Sequence, residues 1–260
     1  MKIPYYPGCT LKIQAKKFED TAIAIGKQLD VELEELPNWN CCGTVYSLSA
    51  DNLMYHLAPL RILTKIKKSG GDKVVTLCSM CYNTLKQANL LIKDNPEKKE
   101  KINSFLSDEK DEKIDYNGEV EVLHFLEILR QIGFDKIVKK VKTPLNMKIA
   151  PYYGCLLTRP KEVAIDDVEH PTILADLLKS LGAQPVNFPY ETECCGAYQM
   201  VNQPEIITRK TAEILTSAKK RGADAVIVSC PMCFVNLDNY QKDTKIPIYY
   251  FTELIAAALK

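Results

Sequence analysis

The chain has 260 residues, enough for one large core or two modest ones. Its formal net charge is only +1, so no long-range field draws in nucleic acid or an anionic membrane, and neither is expected as a partner. No run approaches the roughly 20 apolar residues of a membrane span. The opening "MKIPYYPGC" lacks the apolar stretch of a signal peptide, and a cytoplasmic protein is the expectation.

In chain order, "KIPYY" reads as a strand leading to Cys9. Residues 15–29 place Phe18, Ala22, Ile25 and Leu29 at helical spacing, and "VELEEL" alternates like a strand. "NWNCCG" then brings Cys41 and Cys42 side by side. A helix follows, opened by Ser49 as a cap, with a bend expected at Pro59. "DKVVTL" is a buried strand delivering Cys78, and a helix from about Met80 to Lys93 continues from it. Residues 95–119 are charged and poor in aromatics, which suggests a surface helix and a mobile loop. The second half predicts a strand at 147–152, a helix at 171–181 opened by Pro171, a helix at 204–221, a strand at 225–229 and a helix at 231–240.

The ten cysteines divide into two fives: Cys9, Cys41, Cys42, Cys78, Cys81, then Cys155, Cys194, Cys195, Cys230, Cys233. Each five reads single Cys, Cys-Cys-Gly, C-x-x-C, and matching positions lie 146 to 153 residues apart. The flanks repeat too: "PYYPGC" with "PYYGC", "GGDKVVTLCSMCYNTL" with "GADAVIVSCPMCFVNL", and "EVLHFLEIL" with "IYYFTELIA". This is an internal duplication. Alternating strands and helices imply an α/β fold, two pseudo-symmetric parallel-sheet units with helices on both faces. The units are expected at 1–144, with the charged insertion at about 95–119, and at 145–260, the boundary lying near Pro144. In such sheets, sites form beyond the strands' carboxyl ends, where Cys9, Cys78, Cys155 and Cys230 fall.

What can five thiols hold? Disulfides are rare in a reducing compartment and would leave one cysteine over in each five. Zinc suits C-x-x-C, but a closed site takes four ligands, and neighbouring side chains diverge. A thioredoxin-like dithiol has C-x-x-C between strand and helix, but leaves Cys-Cys-Gly and the fifth cysteine idle. An iron–sulfur cluster accommodates diverging ligands, since several irons can each take a thiolate and one thiolate can bridge. Gly43 and Gly196, and Gly8 and Gly154, would let backbone turn tightly beside it. The spacing favours the cluster and leaves the others open.

On these residues the sequence resembles the B subunit of heterodisulfide reductase and the wider cysteine-rich CCG-domain family. The resemblance rests on Cys9, "CCG" 41–43 and "CSMC" 78–81, and on Cys155, "CCG" 194–196 and "CPMC" 230–233. It implies two tandem CCG domains, each holding one noncubane [4Fe–4S] cluster on its five cysteines, with a disulfide substrate between the clusters. It further implies an oxidoreductase subunit that receives electrons from a ferredoxin-like iron–sulfur subunit and a flavin subunit. Hydrogenase, formate dehydrogenase or methylenetetrahydrofolate reductase modules would be the more distant sources. The alternative within the family is an electron relay without a disulfide, as in lactate, glycolate or glycerol-3-phosphate oxidation. Methanogen-type members often carry histidines flanking the second single cysteine. Tyr152 and Leu156 stand there here, which points away from coenzyme M–coenzyme B disulfide as the substrate.

Other residues have two readings each. Tyr5, Tyr6, Tyr152 and Tyr153 line the cleft or pack the core. Arg159 pairs with a substrate anion or is a plain surface residue. Trp39 shields the first cluster or anchors the core. His56 and His124 read as structural and His170 as surface.

Overall fold

Two four-stranded sheets, parallel throughout, carry the chain in the computed structural model, which describes residues 1–43, 53–108, 113–242 and 244–260. The first contains β1 (Lys2–Tyr5), β2 (Glu32–Glu35), β3 (Lys73–Thr76) and β4 (Glu121–His124) in the order β2-β1-β3-β4. The second contains β5 (Lys148–Tyr152), β6 (Gln184–Pro185), β7 (Ala225–Val228) and β8 (Ile248–Tyr250) in the order β6-β5-β7-β8. The same order in each half shows that the sequence duplication is a duplication of fold. The central strands β3 and β7, "KVVT" and "AVIV", are continuous β-branched runs because helices cover both sheet faces. The edge strand β2, "ELEE", turns its glutamates outward.

The described helices are α1 (Cys9–Ile13), α2 (Lys16–Gln28), α3 (Met54–Lys68), α4 (Ser79–Asp94), α5 (Pro96–Asp108), α6 (Phe125–Ile132), α7 (Phe134–Val138), α8 (Ile173–Ser180), α9 (Pro204–Lys220), α10 (Pro231–Asn239) and α11 (Phe251–Ala258). The two halves dock reciprocally: α11 packs on α2, and α6 packs on α8. At the first contact Phe18 is fully buried, stacked 4.3 Å from Tyr250 and edge-on to Phe251 at 5.4 Å. Thr21 and Thr252 share a 2.6 Å hydrogen bond between their hydroxyls, and Lys17 pairs with Glu253. A large buried aromatic at such a seam contributes about 3 kcal/mol or more to its integrity.

Most expected elements fall within a residue or two of their places, and three points differ. The strand-to-helix units β4–α6 and β8–α11 have no separate sequence signal, because each strand enters its helix with no intervening loop. His124 and Tyr250 are the caps, and their N–H groups donate to Glu127 (2.7 Å) and Glu253 (2.9 Å), a capping arrangement without the usual Ser or Thr. Helix α8 opens at Ile173 rather than Pro171, because the Asp166 carboxylate accepts from the N–H groups of both Thr172 (2.7 Å) and Ile173 (2.8 Å). In place of the mobile loop expected at the end of the insertion, residues 113–119 are fastened. Tyr116 is buried, its hydroxyl donates to Asn89 (2.6 Å), and its carbonyl accepts from Asn103 (3.0 Å). Helix α3 runs through Pro59, while the expected cap at Ser49 lies outside the described residues.

Candidate functional site

All ten cysteines gather at the carboxyl ends of the strands. Cys9 opens α1 after β1, and Cys155 follows β5. Cys78 caps α4 after β3, and Cys230 caps α10 after β7, both in extended backbone. The Cys-Cys pairs sit on the loops beyond β2 and β6. In each sheet, the single cysteine and the C-x-x-C thus flank the point where the chain leaves the two central strands in opposite directions, the place where doubly wound sheets bind ligands. α4 and α10 both start on these cysteines.

None of the ten is in a disulfide. The sulfurs meet in pairs, and the pairs repeat. Cys9 lies 3.9 Å from Cys41 and Cys42 lies 3.6 Å from Cys81. Correspondingly, the free thiol of Cys155 faces that of Cys194, and the thiol of Cys195 faces that of Cys233. The two members of each C-x-x-C also interact, Cys78 with Cys81 and Cys230 with Cys233. Among the described residues no three His, Cys, Asp or Glu side chains close on one ion-sized point.

The proton distribution follows the pairs. Cys194 is pushed down to about 6, first by the thiol of Cys155 donating to it, then by the Gly196 N–H 3.3 Å away and the charge of Lys210, against burial. Cys155 is raised because it is the donor, and burial adds to that. In the first copy Cys78 is lowered by hydrogen bonds from Cys230 and Cys81, while Cys81 is raised by its bond to Cys42.

Close backbone makes this possible. Gly8 has φ 72°, and a Cβ there would lie 2.8 Å from the Cys81 sulfur; Gly154 has φ 66°, with the corresponding distance to Cys233 3.3 Å. The expectation that Gly43 and Gly196 mark tight turns is met by φ values of 70° and 84°.

The two copies touch at the site itself. Cys78 and Cys230 interact across the seam. The buried hydroxyls of Ser79 and Ser229, beside them in sequence, share a 2.8 Å hydrogen bond. Asn83 donates from its amide to the carbonyls of Leu156 and Arg159, both at 2.8 Å. A small cleft of about 20 Å³ opens here, lined by Ser79 and Met80 from the first copy and, from the second, by Tyr153, Met232, Tyr198 and all five cysteines.

The remaining candidates sort as follows. Tyr5, Tyr6, Tyr152 and Tyr153 are all buried, and of these Tyr153 alone reaches the cleft. Tyr6 and Tyr152 brace the Cys-Cys loops, donating to the carbonyls of Asn40 (2.9 Å) and Glu193 (2.6 Å), each the residue just before the pair. Trp39 is half-buried, donates to Glu35 and lies edge-on to Tyr6 at 6.0 Å. The guanidinium of Arg159 is engaged by its own surroundings, the Thr192 carbonyl at 2.9 Å and Glu169 at 3.5 Å. His124 is wholly buried and pushed down to about 3 by that burial, its Nε2 on the Leu77 carbonyl at 2.8 Å. His56 lies half-buried on α3 and His170 is exposed. Sequence reasoning does not find Ser79, Ser229, Tyr198 or Asn236. Asn236 and Ser79 leave a trace as mismatches between "CSMCYNTL" and "CPMCFVNL", Asn236 against Thr84 and Ser79 against Pro231.

A family model described as a cysteine-rich domain, CCG, matches residues 3–86 and 149–238. A protein of Wolinella succinogenes named 8-methylmenaquinol:fumarate reductase membrane anchor subunit is 31% identical, over 98% of this chain and 91% of its own length. The B subunit of the ferredoxin:CoB-CoM heterodisulfide reductase of Methanosarcina mazei is 28% identical, over 99% and 89%. A protein of Archaeoglobus profundus, named for its likeness to the heterodisulfide reductase B subunit, is 24% identical, over 100% and 91%. Among solved structures, a hypothetical protein from Helicobacter pylori superposes with a TM-score of 0.74 at 13% identity, which speaks for the fold alone. The match covers 99% of this chain, which spans about half (49%) of that one. No described helix is long and apolar enough to cross a membrane.

Proposed function

Because this chain belongs to the CCG cysteine-rich domain family, carrying the domain twice, we propose that it is the iron–sulfur subunit of a heterodisulfide reductase-like complex. One noncubane [4Fe–4S] cluster would be held by Cys9, Cys41, Cys42, Cys78 and Cys81, and a second by Cys155, Cys194, Cys195, Cys230 and Cys233. The observation that carries the reading is the repeated pairing of five sulfurs at the strand ends of each sheet, on one shared seam. When bound, the clusters would supply electrons one at a time. Reduction of a disulfide consumes two electrons and two protons and yields two thiols, so a pair of sites matches the electron count.

The chain's own residues would do the rest. Tyr6 and Tyr152 hold the Cys-Cys loops in place, and the starts of α4 and α10 place Cys78 and Cys230 at the seam. Met80, Met232 and Tyr198 give the cleft an apolar wall. Electrons would come from a ferredoxin-like iron–sulfur subunit and a flavin subunit. The likeness to the fumarate reductase subunit supports a second reading, in which the same clusters relay electrons between partners and no disulfide is reduced.

Anaerobically purified protein should be brown, with about four iron and four sulfide per copy. A colourless protein with stoichiometric zinc overturns both readings. Reduction of candidate disulfides by a dye donor, with a paramagnetic signal on disulfide treatment, separates the two. Clusters that cycle normally while every disulfide stays intact leave the relay.

A further inference from the structure

At the third residue after each C-x-x-C the two copies diverge. In the second, Asn236 is fully buried, and its Nδ2 donates to Cys195 twice, to the carbonyl at 3.3 Å and to the sulfur at 3.4 Å. Both neighbours are acceptors, so the amide is oriented with nitrogen toward them; the reverse orientation would set oxygen against oxygen and sulfur. This leaves Asn236 Oδ1 buried with no partner among the described residues. An orphaned buried carbonyl is costly, and a neutral thiol is a poor acceptor to set against that. A sulfur that carries negative charge is a far better one, since charge-assisted hydrogen bonds are about twice as strong. The equivalent residue in the first copy, Thr84, is also buried, and its hydroxyl makes no hydrogen bond among the described residues.

We propose that Asn236 is a positioning residue that raises the reduction potential of the second copy's cluster, a contribution Thr84 does not make in the first. The inference rests on the cluster reading above. Reduction adds negative charge to the ligand sulfurs, so an N–H···S bond stabilises the reduced state more than the oxidised one. The second copy is also the one whose cysteines line the cleft. The amide therefore biases electrons toward the cysteines that border this cleft.

The test is a spectroscopically monitored redox titration of the anaerobic full chain, after iron and sulfide have been measured. Asn236→Leu removes the donor at nearly the same volume. It should lower one of the two one-electron waves by up to about tenfold in equilibrium constant, or about 59 mV, and leave the other in place. Asn236→Asp keeps the shape and replaces the donor with negative charge, so the same wave should move further down. A wave unmoved in Asn236→Leu at wild-type metal content overturns the proposal. Should the leucine variant lose metal from the second site, Asn236→Asp decides by the same criterion. A wild-type chain lacking iron removes the cluster reading itself, a failure visible before any potential is measured.

Discussion

Beyond the carboxyl ends of both sheets the same sulfur pairs recur, yet the helices that carry them are unlike: α4 runs 16 residues and α10 only nine. The extra length of α4 serves the insertion. α4 packs along α5, and its Asn89 takes the Tyr116 hydroxyl. None of that reaches Cys78 or Cys81, which sit at the N-terminal cap and in the first turn. A thiol's position is therefore set by the strand end and the first helical turn, and the remainder of each helix is at liberty to differ. What the duplication kept is the apparatus of placement: Gly8 with Gly154, Tyr6 with Tyr152, and the caps on Cys78 and Cys230. What it varied is the wall behind the sulfurs, where Thr84 stands against Asn236.

The sharpest way to break this equivalence is to remove one buried sulfur from each copy. Cys42 and Cys195 are both buried members of the Cys-Cys pairs. Cys42→Ser and Cys195→Ser should each lower iron content by about half and spare the other copy. If either change emptied both copies, the two would have to be treated as one site despite their separate sheets.

Next in size is the close approach of backbone to sulfur. Alanine at position 8 meets the Cys81 sulfur at 2.8 Å, and at position 154 the Cys233 sulfur at 3.3 Å. Both also force an L-residue to positive φ, at about 1–2 kcal/mol. Overpacking adds about 1–3 kcal/mol where the neighbour cannot give way. Gly8→Ala should therefore cost about 3 kcal/mol and Gly154→Ala about half that, read from urea unfolding midpoints. Equal costs would mean that the first copy relaxes as readily as the second.

How much of this can be read from the residues alone follows the same division. The cysteine spacing, the glycines beside it and the apolar runs of β3 and β7 are local signals, and they locate the strand ends. The units β4–α6 and β8–α11 escape because His124 and Tyr250 end a strand and cap a helix at once, leaving no turn residues to mark the change. The fastening of Tyr116 depends on Asn89 and Asn103, distant in sequence and not recognisable as a pair. Asn236 is invisible as a donor because its target is a sulfur 41 residues away, although its mismatch with Thr84 is in plain view.

The caps themselves extend the comparison to pH. His124 titrates at about 3 in the folded chain, against an unperturbed value of 6.5, because burial disfavours its charged form. Between those values the unfolded chain binds a proton that the folded chain does not. Stability is therefore level above pH 6.5 and falls as pH drops below it, by about 2 kcal/mol at pH 5. Tyr250, its counterpart, is raised by burial and stays neutral across that range, so the second copy adds no such slope. His124→Asn should be less stable at pH 7.5 yet lose the decline between pH 6.5 and 5. A variant that keeps the wild-type slope would assign the acid sensitivity to other groups.

The smallest expected effect tests where the copies should agree. Tyr6 and Tyr152 each direct a buried hydroxyl to the carbonyl preceding the Cys-Cys pair, at 2.9 and 2.6 Å. Tyr6→Phe and Tyr152→Phe remove one neutral hydrogen bond each and keep the ring, so each should cost about 1 kcal/mol. Because the ring still packs, the loops stay near their places and metal content should be unchanged. The two costs should match to within a few tenths of a kcal/mol, as expected of equivalent and independent positions. A cost at Tyr6 well above that at Tyr152 would show that the first loop leans on its tyrosine more than the second. Trp39, edge-on to Tyr6 at 6.0 Å, would then be the neighbour to remove next.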